Sequence, residues 1–174
     1  INYVGREYLN KPMEINIWRA PTDNDMYLKL EWKRAFYDKA LPRAYDTFVT
    51  QTKDGVTLLS TMSLSAPSVS RMLDIRALWT VDPNGSIEAV FDVMRNKEFP
   101  ELPRFGLRLF LSKKLENISY YGYGPMESYR DKHRAACHGL YRSTVYELHE
   151  DYIRPQENGS HYDCDYVELS NGQF

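Results

Sequence analysis

The stretch RMLDIRALWTVDPNGSIEAVFDVMRN, residues 71–96, carries two runs of strand-forming residues on either side of Pro83-Asn84-Gly85. Proline presets one backbone angle of a turn, and Asn-Gly supplies the left-handed conformation that most side chains resist. In the second run Ile87, Ala89, Phe91 and Val93 share one face, and Glu88, Val90, Asp92 and Met94 share the other. A period of two marks a half-buried strand, and so short a turn joins antiparallel neighbours.

The same grammar extends outward. Residues 44–52 (AYDTFVTQT) and 56–65 (VTLLSTMSLS) flank Lys53-Asp54-Gly55, a second hairpin turn. Residues 3–9 (YVGREYL) pivot on Gly5-Arg6 as a shorter hairpin, and 104–112 (RFGLRLFLS) follows FPELP, whose prolines end one strand and set the entry to the next. One stretch breaks the period. LKLEWKRAFYDKAL places Leu28, Trp32, Ala35, Phe36 and Lys39 at helical spacing, which predicts a helix over 28–41 covering one open end of the sheets. From Asn117 onward Gly, Pro, Tyr and charge increase and strands are harder to place. The pattern predicts an all-β fold, an antiparallel two-sheet sandwich with one short helix, as a single domain over 1–174.

Composition narrows the function classes. The 174 residues are 43 % hydrophobic and 26 % charged, an ordinary globular balance. Fourteen tyrosines suit strands that are apolar on one side and wet on the other. A net charge of −2 argues against nucleic-acid binding, and no apolar run approaches the length of a membrane span. The chain opens on INYVG without methionine or a signal-peptide pattern, and reads as an excised piece of a cytoplasmic protein. Cys137 and Cys164 fit no zinc spacing and are read as buried or half-buried thiols.

Three stretches carry candidate chemistry. In NIWRAPTDND (16–25), Trp18 and Arg19 precede Pro21, and Asp23, Asn24 and Asp25 crowd a loop. D-x-D is similar to the start of a calcium loop, but the glycine and closing glutamate of that motif do not follow, so loop hydrogen bonding or helix capping is the simpler use. In YYGYGPMESYRDKHRAA (120–136), two glycines and Pro125 force a turn, and Glu127 with Arg130 is either a catalytic carboxylate or a loop ion pair, beside Asp131. In YIRPQENGSHYDCDY (152–166), Glu157, Asn158 and His161 lie at a proline-set turn. Retaining glycosidase chemistry needs two carboxylates about 5 Å apart, and Glu127 with Glu157 is the suggestive pair. Four histidines show no HxH or HExxH grouping, and no serine has a GxSxG context. Beyond Gly159, Tyr162, Cys164 and Tyr166 would alternate with Asp163 and Asp165 along a strand.

In this order, NIWRAPTDND, PRFGLRLFL, YYGYGPMESYRDKHRAA and YIRPQENGSHYDCDY resemble the W-R-A-P-x-D-N-D, P-R-x-G, G-x-G-P-x-E-x-Y-x-D and P-Q-E-N-G signatures of the C-terminal, small-chain domain of bacterial β-galactosidases of glycoside hydrolase family 2. The resemblance covers nearly the whole chain. It implies an antiparallel β supersandwich similar to galactose mutarotases, belonging to an enzyme that cleaves terminal β-D-galactosides with retention. It also implies that the catalytic glutamates and the magnesium and sodium ligands lie in a barrel elsewhere in the parent, with no cofactor in this chain. The partners it implies are the remaining domains or large subunit and, in the assembled enzyme, the galactoside. Open strand edges would allow self-association.

On this resemblance the chain is a fragment truncated at both ends and inert alone. Trp18, Arg19, Asp23, Asn24, Asp25, Glu127, Arg130, Asp131, Glu157, Asn158 and His161 are then a framework of loop bonds near the substrate, with no catalytic or metal-binding residue among them. Two departures stand out. The family's mobile loop after the first motif is cut here to MYLKLEW, and the sugar-stacking tryptophan would lie beyond Phe174. His161 also stands where family members often carry arginine, which would make a carboxylate pairing there sensitive to pH. The alternative is a stand-alone carbohydrate-binding or mutarotase-like module.

Overall fold

The opening stretch folds as the last two strands of a four-stranded antiparallel meander. In the computed structural model, which describes residues 2, 3 and 5–172, this sheet consists of β4 (Leu41–Thr52), β5 (Gly55–Ser65), β6 (Leu73–Val81) and β7 (Ile87–Arg95) in sequential order. Ile1, Val4, Gln173 and Phe174 lie outside the described residues; they include both ends of the expected fragment and one residue of the expected 3–9 hairpin, which does not pivot on Gly5-Arg6, because Arg6 is itself a strand residue paired with Tyr3. Before the meander come β1 (Asn2–Tyr3), paired with β2 (Arg6–Glu7), and β3 (Leu9–Asn16). After it come β8 (Gly106–Leu111), paired with β3, then β9 (Asn117–Gly124), β10 (Cys137–Thr144) and β11 (Tyr166–Ser170), with β9 in the middle of the last three. Among the described residues the chain is all-β and antiparallel with one α-helix.

The turns form for the reasons their sequences suggest. Gly55 closes the β4–β5 turn at φ +141°, and a Cβ there would meet the Val81 carbonyl oxygen at 2.3 Å. At the β6–β7 turn the Asp82 carboxylate accepts the Asn84 and Ser86 amides at 2.8 and 3.0 Å, an Asx cap. The predicted alternation in β7 holds from Glu88 to Met94, but Ile87, expected on the inner face, is exposed at the start of the strand. Ala89, Phe91 and Val93 are half-buried while Glu88, Val90, Asp92 and Met94 are exposed.

Contacts divide the chain into two compact units. The first comprises Ile1–Glu7, Met13–Arg19 and Asp25–Leu109; the second comprises Tyr8–Pro12, Ala20–Asn24 and Phe110–Phe174. The core of the first unit sits on one face of the meander, where Leu64, Leu73 and Ile75 pack with Met72, Ile17, Trp32 and Tyr37. The helix α1 (Leu28–Arg34) supplies Trp32, whose indole N–H donates to the Glu101 carbonyl at 3.1 Å. The predicted helix over 28–41 is therefore too long. Phe36 adopts a left-handed conformation (φ 58°), a single 3₁₀ turn follows over Tyr37–Lys39, and β4 begins at Leu41. Leu28 and Phe36, expected on the buried stripe, are exposed, and Tyr37 takes the inward place with its hydroxyl on the Pro100 carbonyl.

In the second unit Tyr120 is the buried centre, its hydroxyl donating to the Pro125 carbonyl at 3.2 Å and its ring against Tyr141 and His161. Burial pushes its hydroxyl pKa up to about 12. Gly124 is required beside it, since a Cβ there would lie 2.3 Å from the Tyr120 oxygen.

A network around Glu127

Within the second unit, the turn after β9 delivers Glu127 into the interior, where its side chain is 3 % exposed. Both oxygens are occupied. Oε1 accepts from Lys132 Nζ at 2.9 Å and from the Tyr152 hydroxyl, while Oε2 accepts from the Tyr129 hydroxyl at 3.3 Å and the Gly159 amide at 3.1 Å. The expected partner Arg130 is exposed, and the ion pair is made by Lys132 instead. A carboxylate has about four lone-pair sites, so this arrangement saturates it. Next to it Ser128, fully buried, donates its hydroxyl to the Tyr123 carbonyl and accepts the Tyr162 amide, and its own amide donates to the Ser160 carbonyl at 2.7 Å.

The Pro-Gln-Glu-Asn-Gly turn bonds outward at successive residues. Gln156 exchanges two bonds with Asp23, each 3.3 Å: the Asp23 amide donates to Oε1, and Nε2 donates to the Asp23 carboxylate. Glu157 accepts the Ala20 amide at 3.1 Å, and Asn158 both accepts from the Glu150 amide and donates to the Glu150 carbonyl. Asn24 donates to the Asp131 carboxylate at 3.1 Å. The suggestive pair Glu127 and Glu157 thus both accept backbone amides.

Trp18, Arg19 and Asp25 belong to the first unit. Asp25 is buried and pairs with the Arg19 guanidinium at 2.8 Å, and that guanidinium also lies over the Trp32 ring at 5.5 Å. Asp23 and Asp25 therefore have different partners, and a guanidinium occupies the carboxylate that a D-x-D cation site would need. Trp18 packs half-buried against the core and is fixed by reciprocal bonds with the Asn16 side chain. Among the described residues, no three His, Cys, Asp or Glu side chains converge as a metal-binding group. No described helix is long and apolar enough to cross a membrane.

The end of the third motif differs from its predicted alternation. Asp163 is left-handed (φ 52°), and regular pairing begins only at Tyr166. Cys137 and Cys164 are free thiols, exposed rather than buried, and Cys164 Sγ reaches over Gly122, where a Cβ would meet it at 2.4 Å. His161 makes no carboxylate pair. Its Nδ1–H donates to the Tyr123 carbonyl at 3.3 Å, its ring lies 4.2 Å from that of Tyr120, and Nε2 is buried with no hydrogen-bond partner among the described residues.

Desolvation lowers the His161 pKa below its ordinary value, against smaller opposing effects of the Tyr123 carbonyl and the Glu127 charge. A base whose folded pKa is depressed stabilises the fold fully above its ordinary value of about 6.5 and loses that contribution as pH falls toward the depressed value. The melting temperature of the chain should therefore decline more steeply below pH 6.5 than that of His161→Gln. Parallel thermal melts from pH 5 to 8 check this, and superimposable pH dependences would refute it.

Sequence reasoning selected Glu127 but missed Lys132, Tyr152, Tyr129, Ser128 and Gln156, the groups that hold this loop cluster together. Gln156 was legible as the amide inside the Pro-Gln-Glu-Asn-Gly turn. Tyr152 was not, because nothing local marks a tyrosine as the partner of a carboxylate twenty-five residues away.

A family model for the β-galactosidase small chain matches residues 1–174. The chain is 40 % identical over 171 residues to a β-galactosidase of Actinobacillus pleuropneumoniae, covering 98 % of this chain and 17 % of that protein. It is 39 % identical to one from Staphylococcus xylosus (90 % of this chain, 16 % of that protein) and 35 % identical to one from Lactobacillus delbrueckii subsp. bulgaricus (92 % and 16 %). The chain thus spans about a sixth of the length of these relatives.

Proposed function

This chain belongs to the β-galactosidase small-chain family, and from that premise we propose that it is a non-catalytic structural domain of a β-galactosidase. In this reading the parent is a cytoplasmic family 2 glycoside hydrolase that cleaves terminal β-D-galactosides with retention. The chain contributes part of a β supersandwich, and the remaining domains or large subunit carry the nucleophile, the acid/base and the magnesium and sodium ligands. Asp23 and Asp25 do not suit a cation, because Arg19 holds the second of them.

The observation that carries this reading is the saturation of Glu127. A nucleophile or general acid must present an oxygen to the sugar, and both oxygens here face protein donors. The motif residues Trp18, Arg19, Asp23, Asn24, Asp25, Asp131, Glu157 and Asn158 serve as loop braces, with Arg130 and His161 beside them. The purified chain should give no hydrolysis of nitrophenyl β-D-galactoside above buffer. Turnover that persists through purification and vanishes in Glu157→Gln would overturn the reading.

A second reading, a carbohydrate-binding module acting alone, draws on one feature. Tyr121 and Tyr166 are 38 % and 50 % exposed, with nearly parallel rings 6.4 Å apart, and His138 lies edge-on to Tyr121. Aromatic faces of this kind stack on pyranose rings. Saturable galactose binding by calorimetry, lost in Tyr166→Ala, would favour it over the scaffold role.

A further inference from the structure

The face of the β4–β7 sheet opposite the core carries polar rows such as Thr50, Thr57, Thr80 and Glu88, but one row departs from the rule that such a face is polar when it meets water. Strand register aligns Phe48, Leu59, Leu78 and Val90 in one row across all four strands. Phe48 is 65 % exposed, Leu78 41 % and Val90 53 %. Scattered exposed apolar residues need no explanation, but an uninterrupted row in register forms a patch. It spans three interstrand gaps of about 4.8 Å, or roughly 14 Å. The adjacent row on the same face, two residues along each strand, reads Asp46, Thr61, Arg76, Asp92, and lies in a shallow groove of about 420 Å³.

We infer that this face is a docking surface for another domain of the parent β-galactosidase, a protein surface with an apolar ridge flanked by basic, acidic and basic side chains in complementary order. The inference rests on the reading of the chain as a structural part of a larger enzyme. Two observations select this occupant. The relatives are about six times longer than the chain, so most of the protein surface of a parent lies outside it. The charged row changes sign along its length, which suits a polypeptide with side chains of both signs and is poorly matched to a neutral sugar or a uniformly charged polymer. The opposite face cannot serve the same role at its covered end, where Leu64, Leu73, Ile75 and Ala77 are already buried.

Val90→Cys and Leu78→Cys place thiols on the row, and iodoacetamide labelling read peptide by peptide separates them from the free Cys137 and Cys164. Labelling at both positions should be at least about tenfold slower in the full-length parent than in the isolated chain, since it then requires the domains to open. Equal rates in the two would overturn the assignment. Slowing that grows with the concentration of the isolated chain would give the face to a second copy and would likewise overturn it. Deleting residues 1–174 from the parent tests the underlying reading separately. A deleted parent that keeps full activity and assembly sinks the scaffold role, whereas a deletion that abolishes them, together with equal labelling, sinks only this surface.

Discussion

Glu127→Ala should destabilise the chain by about 3 kcal/mol, the largest effect expected of any single loop substitution. The carboxylate is buried and receives four donors, and its loss strands two kinds of group. The half-buried Gly159 amide and Tyr129 hydroxyl lose an acceptor, while the exposed Tyr152 hydroxyl and the Lys132 ammonium, 58 % exposed, can turn to water. The ion pair is therefore the smaller part of the effect, because an exposed partner is screened by solvent. Lys132→Met should accordingly cost no more than about 1 kcal/mol, with Glu127→Gln falling between the two because the amide keeps one acceptor. For a chain of this length, 3 kcal/mol corresponds to a drop in melting temperature of roughly 6–12 °C. Scanning calorimetry of the three variants checks the order. Equal losses for Glu127→Ala and Lys132→Met would mean that the salt bridge, rather than the four-donor node, holds the loops.

What the sequence made legible follows from how far each signal reaches. The meander was readable because its signals are local: alternation within β7, Asp-Gly before β5 and Pro-Asn-Gly before β7 each fix the geometry of a few adjacent residues. The helix boundary was misjudged for the same reason. Leu28 and Phe36 match the helical period, but Phe36 turns left-handed so that Tyr37 can reach the Pro100 carbonyl, a partner sixty-three residues away that no local window contains. The candidate site shows the same division. Asp23, Glu127 and Glu157 were visible as carboxylates in turn-rich motifs, whereas their partners Gln156, Tyr152 and the Ala20 amide come from segments brought together only by folding; Lys132, five residues from Glu127 in the same motif, was passed over for Arg130. The alternation expected after Gly159 failed because Asp163 is left-handed, and polar residues in a turn mimic a strand in composition.

Trp32→Ala should cost about 3–5 kcal/mol, because the substitution empties the contact between α1 and the meander. The indole is 4 % exposed and belongs to the cluster formed by Ile17, Leu64, Met72, Leu73 and Ile75. Only Trp32 is buried within the seven residues of α1, and no side chain caps its N-terminus, so its stability comes from this packing rather than from intrinsic propensity. The indole also supports Arg19, whose guanidinium lies over the ring while paired with Asp25. Trp32→Phe separates these contributions. It keeps an aromatic face and most of the volume but loses the bond to the Glu101 carbonyl, and should cost about 1–2 kcal/mol. Urea titrations should show both variants with lowered midpoints, Trp32→Ala by at least twice as much. If the two midpoints coincide, the hydrogen bond to Glu101 outweighs the filled volume, and the helix is held by its polar edge rather than by its buried face.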